Sequence, residues 1–526
     1  MSSEKRPRVL TNDDGWILGT YPSPISVEQL RDKMVAPHEG SPFDTFMWNI
    51  GGREVFSYET HVGERYAEDV KTFSDPAAQT RAENLRHLID AHGGPVTVIA
   101  QLCHNIGMKF FASLRMNTHY NVDDDSLGYG RFRREHPDLL IGRPGEDLHP
   151  GDPLWGLRTG KDYAFPKVRD FTHDVVGELV ERPDVDGIEL DFMRHPGGFR
   201  PDEAYANRYL LTDMIVQLRR RMEAAGTSRG QTLELAVRVA PTLADSVRLG
   251  MDVEEWIKEG LVDLVTVGLG FNPFEARIAQ FVAAAEGTPC RILGCFEALR
   301  PVMDTEVLRA IAARYWSEGV DGLYFFNFYS MSQEWKRDVV GELAKPAALE
   351  RGDKIYEIDK ARGGSPESQI GHAFRYCLPL EQLPVRLEQV RTERPACLHF
   401  EVADDIAAAE HSGALDKCVL GLGFGHLQDG DEIAVSLNGV TLAWQDRHVP
   451  TNKWTHQIYD ADWNRYPSKL RLAEFESDPV EFDLPVGSLR QGRNEIQVRL
   501  VQRAADKAQT PAPVLADVRI WIRYNA

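Results

Sequence analysis

Glu189 and Asp191 stand two residues apart in the run Gly187-Ile188-Glu189-Leu190-Asp191-Phe192-Met193-Arg194-His195-Pro196. Read as a strand, that spacing puts both carboxylates on one side. The cationic pair Arg194-His195 and the Pro196-Gly197-Gly198 stop mark the strand's carboxyl end, where barrel enzymes carry their chemistry. Glu297, at the end of a later apolar strand, supplies a second acid. Two carboxylates on opposite strands flank a glycosidic bond, one as proton donor and the other as nucleophile or base. A separation of about 5–5.5 Å gives retention and about 6.5–9.5 Å inversion. For Asp191 the competing reading is an ion pair with Arg194 or Arg238. Glu189, one layer deeper, suits a supporting role with Arg115 or Arg238 as its counter-charge.

The other strand ends are also polar. Asp14, Trp16, Asn49, Arg115, Asn117, His119, Arg194, His195, Arg238, Asn327 and Tyr329 form the expected substrate-binding set around the Asp191–Glu297 pair. Each polar group buried without a partner costs about 1–3 kcal/mol, so such a concentration at one end of apolar strands needs a cause. Fixed guanidinium groups suit hydroxyl-rich or anionic ligands, unless the arginines only balance Glu189, Asp191 and Glu297. Asp13 and Asp14 fit a sugar hydroxyl, a cation or a helix cap. Trp16, Trp48, Phe192, Phe271, Phe296, Tyr329 and Trp335 offer stacking faces or core packing. His104 and His119 show no HxH or HExxH spacing, so no metal and no cofactor are expected.

Eight apolar runs position these residues: Val9–Trp16, Thr45–Gly51, Lys109–Asn117, Gly187–Arg194, Leu233–Pro241, Leu264–Gly270, Arg291–Leu299 and Gly322–Tyr329. Helical periodicity fills the gaps, as in Val168–Val180, Asn207–Ala225, Val253–Glu259 and Val307–Ser317. The pattern predicts an α/β chain, a (β/α)8 barrel over residues 1–346. The first βα turn has no GxGxxG, which argues against a doubly wound sheet. Thr118–Asp162, rich in Asp, Gly, Pro and Arg, is expected to cover the barrel mouth. Residues 347–394 read as a connecting segment. Residues 395–526 read as an all-β sandwich of jelly-roll type, with strands Cys397–Val402, Asp431–Leu437, Val440–Trp444, Glu495–Val501 and Val518–Tyr524 and a hairpin turn at Asn438-Gly439.

The 526 residues carry a formal charge of -20, which argues against a backbone-tracking nucleic-acid binder or an anionic-membrane binder. The first ten residues lack an apolar run, so the expectation is a cytoplasmic chain without signal peptide or membrane span. Six cysteines without a CxxC pair read as reduced thiols.

The runs Phe43–Asn49, Gly107–Asn117, Glu135-His136-Pro137-Asp138 and Asp186–Arg194 together resemble glycosyl-hydrolase-like barrel proteins widespread in bacteria. The resemblance covers roughly Arg8 to Lys345. It implies a catalytic aspartate at Asp191. Barrels of this clan with an acid pair on strands four and seven usually carry Asn-Glu at the fourth, whereas this chain has Leu190-Asp191, which favours a nucleophile there over an acid. The expected function is a glycoside hydrolase acting on short oligosaccharides, acidic ones included, with retention preferred and self-association left open. A non-hydrolytic sugar-acid lyase or isomerase on the same barrel is the alternative, as is a carbohydrate-binding protein without turnover.

Overall fold

The computed structural model describes residues 7–15, 17–52, 54–117, 127–149, 152–270, 272–297, 304–360, 382–387, 395–458, 473–504 and 511–525. Eight parallel strands appear where the apolar runs predict them: β1 (Arg8–Asp13), β2 (Thr45–Gly52), β3 (Lys109–Arg115), β4 (Gly187–Asp191), β5 (Glu234–Val239), β6 (Leu264–Val267), β7 (Arg291–Glu297) and β8 (Gly322–Phe326). Neighbours in sequence are neighbours in space, and β1 pairs with both β2 and β8, Leu10 opposite Thr45 and Arg8 opposite Gly322, which closes the barrel. Strands buried on both faces must be apolar on both, which is why these segments read as continuous runs.

Helices between the strands follow local rules. Asp75 caps Pro76–His92 through Ala77 N, Pro76 occupies the first turn, and Gly93 at φ 75° ends the helix in the left-handed region. Asp304 caps Thr305–Ser317 in the same way through Glu306 N. Pro166–Val180, Ala204–Arg229 and Val253–Lys258 cover the expected helical segments to within a few residues.

Leu10, Met47, Phe111, Ala236, Leu264, Leu293, Cys295, Tyr324 and Phe326 pack together inside the barrel. The opposite strand faces pack against the helices in a second, larger core. At the amino end of the barrel Arg8 reaches Glu234 at 3.0 Å, and Lys109 pairs with the same carboxylate. Among the described residues no helix is long and apolar enough to cross a membrane.

Beyond the barrel lie two antiparallel sheets. One runs β9 (Lys354–Glu357), β18 (Val514–Tyr524), β12 (Leu415–Gly425), β16 (Ala473–Asp483) and β15 (Trp454–Ile458), with β10 (Val385–Arg386) also on β18. The other runs β11 (Ala396–Val402), β17 (Gly492–Gln502), β13 (Glu432–Leu437) and β14 (Val440–Leu442). Among the described residues, the segment read as a connector, 347–394, gives two strands to this region. Lys354 and Glu357 disguise β9, because their charges are met only in the fold, by Asp404 at 2.7 Å and Arg519 at 3.6 Å. The hairpin turn forms as expected: Leu437 pairs with Val440, and Asn438 and Gly439 take φ 51° and 83°.

The β-rich region packs against the barrel. Arg523 reaches Glu306 at 2.6 Å, and Asp359 accepts the Glu275 N–H at 2.9 Å.

Candidate active site

The interior cluster fixes which way each strand residue faces. Since Leu10, Met47, Phe111, Ala236, Leu293 and Tyr324 point inward, period-two alternation turns Asn12, Asn49, Ser113, Arg115, Arg238, Cys295, Glu297 and Phe326 inward too. On β4, Gly187 faces the Phe111 ring, so Glu189 and Asp191 share that side. The polar residues therefore converge at the carboxyl ends of the strands, over an apolar floor.

Arg238 grips Asp191 with Nε on Oδ1 at 2.9 Å and Nη2 on Oδ2 at 2.7 Å. Oδ1 also accepts the backbone N–H groups of Met193 (3.0 Å) and Arg194 (2.9 Å). Burial alone would raise the Asp191 pKa, but the Arg238 charge and its hydrogen bonds, with Arg115 behind, hold it below the usual carboxylate range. Asp191 is a fixed anion. The ion pair with Arg238 considered from sequence is present, and Arg194 meets Asp191 through its backbone N–H.

Glu189 does not take Arg238 as a direct partner, contrary to expectation, because the guanidinium is spent on Asp191. Asn12 Nδ2 donates to Glu189 Oε2 at 2.6 Å, and the Tyr324 hydroxyl donates to Oε1 at 2.6 Å. Neutral donors replace a cation, so burial and the neighbouring Asp191 charge push the Glu189 carboxyl up to about 7. Tyr324 was not singled out from sequence. Its inward register, two residues before Phe326, is the signal that could have found it.

At the rim, Asp14 pairs with Arg115 and accepts from Asn327 Nδ2 at 3.1 Å. Asn327 sits at φ 66°, where its backbone N–H reaches Asn12 O at 2.9 Å. These three expected binding residues, from β1, β3 and the turn after β8, thus meet one another. Asn49 turns its Oδ1 back to Gly51 N at 2.8 Å. Asn117 holds the returning end of the long loop: Nδ2 donates to Lys161 O and Gly197 O, and Oδ1 accepts Lys161 N, each at 2.9 Å. Its amide is occupied by structure rather than turned to a ligand. His195 is buried and Arg194 half-buried beside Asp191.

Glu297 ends β7, four per cent exposed, across the barrel from β4. Gly270 lies at φ 79° directly on its backbone, and a Cβ there would fall 2.6 Å from Glu297 N. One layer below, the Cys295 thiol is pushed up to about 12, by burial first and by the Glu297 and Asp191 charges as well, with Arg238 opposing. Both carboxylates therefore act on the same interior. Tyr329, 39 % exposed, stands at the rim, its phenol raised by burial and by the charges of Asp13 and Glu297. Asp13 itself faces outward toward the helix layer, where its Oδ1 accepts Gly15 N at 2.7 Å.

Of the other aromatics, Trp48, Phe192 and Phe296 are buried, Phe296 stacked on Phe325 at 4.8 Å, and Trp335 stacks on Phe328 at 5.5 Å. They are core. Trp16, His119 and Phe271 lie outside the described residues. Among the described residues no group of three or more His, Cys, Asp or Glu side chains is arranged to hold a metal ion.

No model of a known protein family matches the chain, and neither does any curated protein. Solved structures similar to it include the endo-β-1,4-mannanase of Thermotoga petrophila, with 12% identity over 98% of both chains and a TM-score of 0.43. A cell-surface chitinase of a Paenibacillus species has 10% identity over 98% of this chain and 56% of its own, with a TM-score of 0.41. A chitinase of Pseudoalteromonas aurantia has 9% identity over 64% of this chain and 98% of its own, with a TM-score of 0.34. Likenesses this remote carry no chemistry across.

Proposed function

We propose that the protein is a glycoside hydrolase in which Glu297 donates the proton to the leaving oxygen and Asp191 is the opposing carboxylate. The observation that carries this reading is the placement of two inward carboxylates on opposite strands: Asp191 is kept anionic by Arg238, and Glu297 faces the same interior from β7. Asp191 Oδ1 accepts three hydrogen bonds and Oδ2 a single one among the described residues, so Oδ2 is the freer oxygen for attack on the anomeric carbon. That favours a retaining course.

The substrate proposed is a neutral, short oligosaccharide. Arg115 is paired with Asp14 and Arg238 with Asp191, which lowers the attraction of the site for a second anion. Tyr329 offers a ring face at the rim, and Asp14, Asn327 and Arg194 offer polar groups to sugar hydroxyls.

The test is turnover of neutral, uronic and sulfated oligosaccharides by the parent, Glu297→Gln and Asp191→Asn, with the anomer of the product read by NMR. The expectation is cleavage of a neutral substrate with retention. Each variant should lose on the order of 10²–10⁴ in kcat. Glycan binding without turnover by the parent, or variants that match it, would overturn the assignment.

A further inference from the structure

On the barrel flank, helices Pro166–Val180 and Ala204–Arg229 line an open surface cavity of about 640 Å³ between their carboxyl-terminal halves. These helices lead into and out of β4, so the cavity opens near the amino end of the barrel, the face opposite the candidate active site. Its lining includes Arg220, Arg221 and Arg229, with Glu181 as the single carboxylate. Three guanidinium groups against one carboxylate are out of character for a chain of net charge -20. They also outweigh the partial negative charge of the nearby helix ends.

The arginines are placed by the fold. Arg221 lies across Gly177, where a Cβ would come within 2.0 Å of its Cζ, and meets Glu181 at 3.1 Å. Arg229 gives Nη1 to the carbonyl of Arg182. Its Nε and Nη2 are buried, and no acceptor among the described residues meets them. Charged donors buried without an acceptor are costly to a fold, which favours an acceptor brought by water or by a ligand at this place. Guanidinium forks match the tetrahedral oxygens of phosphate. Val180, Ala224 and Ala225 add an apolar wall, and the volume exceeds what an inorganic ion fills.

We propose that this cavity binds a phosphate monoester. Arg220, Arg221 and Arg229 clasp the phosphoryl group, and the apolar wall receives the organic part. The site is independent of the proposed hydrolysis.

The experiment is calorimetric titration of the full chain with glucose 6-phosphate, inorganic phosphate and chloride at constant ionic strength. Thermal unfolding is followed under the same conditions. Glucose 6-phosphate should bind and raise Tm, with inorganic phosphate weaker by about ten-fold or more. Arg229→Gln should abolish binding. Arg220→Gln, an exposed residue whose loss leaves the fold intact, should weaken it by about ten-fold, the size of one charge-assisted contact. Equal affinity for inorganic phosphate would overturn the monoester assignment. No binding of either phosphate, or binding indifferent to Arg220→Gln, would overturn the site.

Discussion

Arg238 and Asp191 form a bidentate pair, 2.9 and 2.7 Å, with each side chain 1% exposed. Removing one partner of such a pair leaves a buried charge without its counter-ion. Arg238→Gln is therefore expected to cost about 3–5 kcal/mol in urea denaturation at pH 7. Arg238→Lys should recover little of it, because one ammonium cannot span both oxygens. The double variant Arg238→Met with Asp191→Leu should be more stable than either single change. Equal losses in all three would show that the pair is not desolvated.

Glu189 makes stability depend on pH. Its folded pKa, about 7, lies above the ordinary carboxyl value of 4.5 that the unfolded chain has. Between those values the folded state binds more protons than the unfolded state, so stability falls as pH rises through the window. The contribution is fully present below pH 4.5 and lost above 7. Glu189→Gln keeps hydrogen-bonding contact with Asn12 and Tyr324 but cannot ionise. The difference between parent and variant, followed by urea midpoints from pH 4.5 to 8, should move in the variant's favour as pH rises. A difference independent of pH would mean that Glu189 stays charged throughout.

The barrel was legible because its strands are apolar on both faces, and the inward direction of Asp191, Glu297, Arg115 and Arg238 follows from alternation once one inward residue per strand is known. The expected strands ran too far where the structure describes their ends, past Asp13 and into Tyr329, which lies in the 3-10 turn Phe328–Ser330, while Trp16 and Leu299 lie outside the described residues. What side chains do at the strand ends was less legible. Asn117 looks like a ligand-binding amide in sequence, yet its bonds go to Lys161 and Gly197, 44 and 80 residues away. In the β-rich region β12 was missed because Gly421, Gly423 and Gly425 resemble loop composition. Gly421 is instead required by the tryptophans over it, a Cβ there falling 2.4 Å from the Trp521 ring.

Gly270→Ala tests how closely Glu297 depends on its neighbour. The new Cβ would occupy a left-handed residue at φ 79° and strike Glu297 N and Phe296 C, both at 2.6 Å. Neither is a flexible side-chain tip, so the β7 terminus must move. The expected cost is about 1–3 kcal/mol in stability. Activity on any substrate the parent cleaves should fall by about 10², the size attached to a misplacement of about 1 Å. A stable variant of full activity would show that Glu297 does not need this position.

Lys336 is buried in the first turn of helix Gln333–Leu343, and its Nζ has no hydrogen-bond partner among the described residues. Burial lowers its pKa to about 8, with the Asp13 charge opposing, and the positive end of the helix is a further disadvantage for a cation. At pH 7 the ammonium is charged and costly, so Lys336→Met, similar in length and apolar, is expected to stabilise the protein by about 1–3 kcal/mol. The folded pKa lies below the ordinary 10.5, so between about 8 and 10.5 the unfolded chain binds more protons and the parent gains stability as pH rises. The advantage of Lys336→Met should therefore shrink across that window when urea midpoints at pH 7 and pH 10 are compared. An advantage that grows with pH, or a variant less stable than the parent at pH 7, would mean that the ammonium is well solvated or paired in the folded protein.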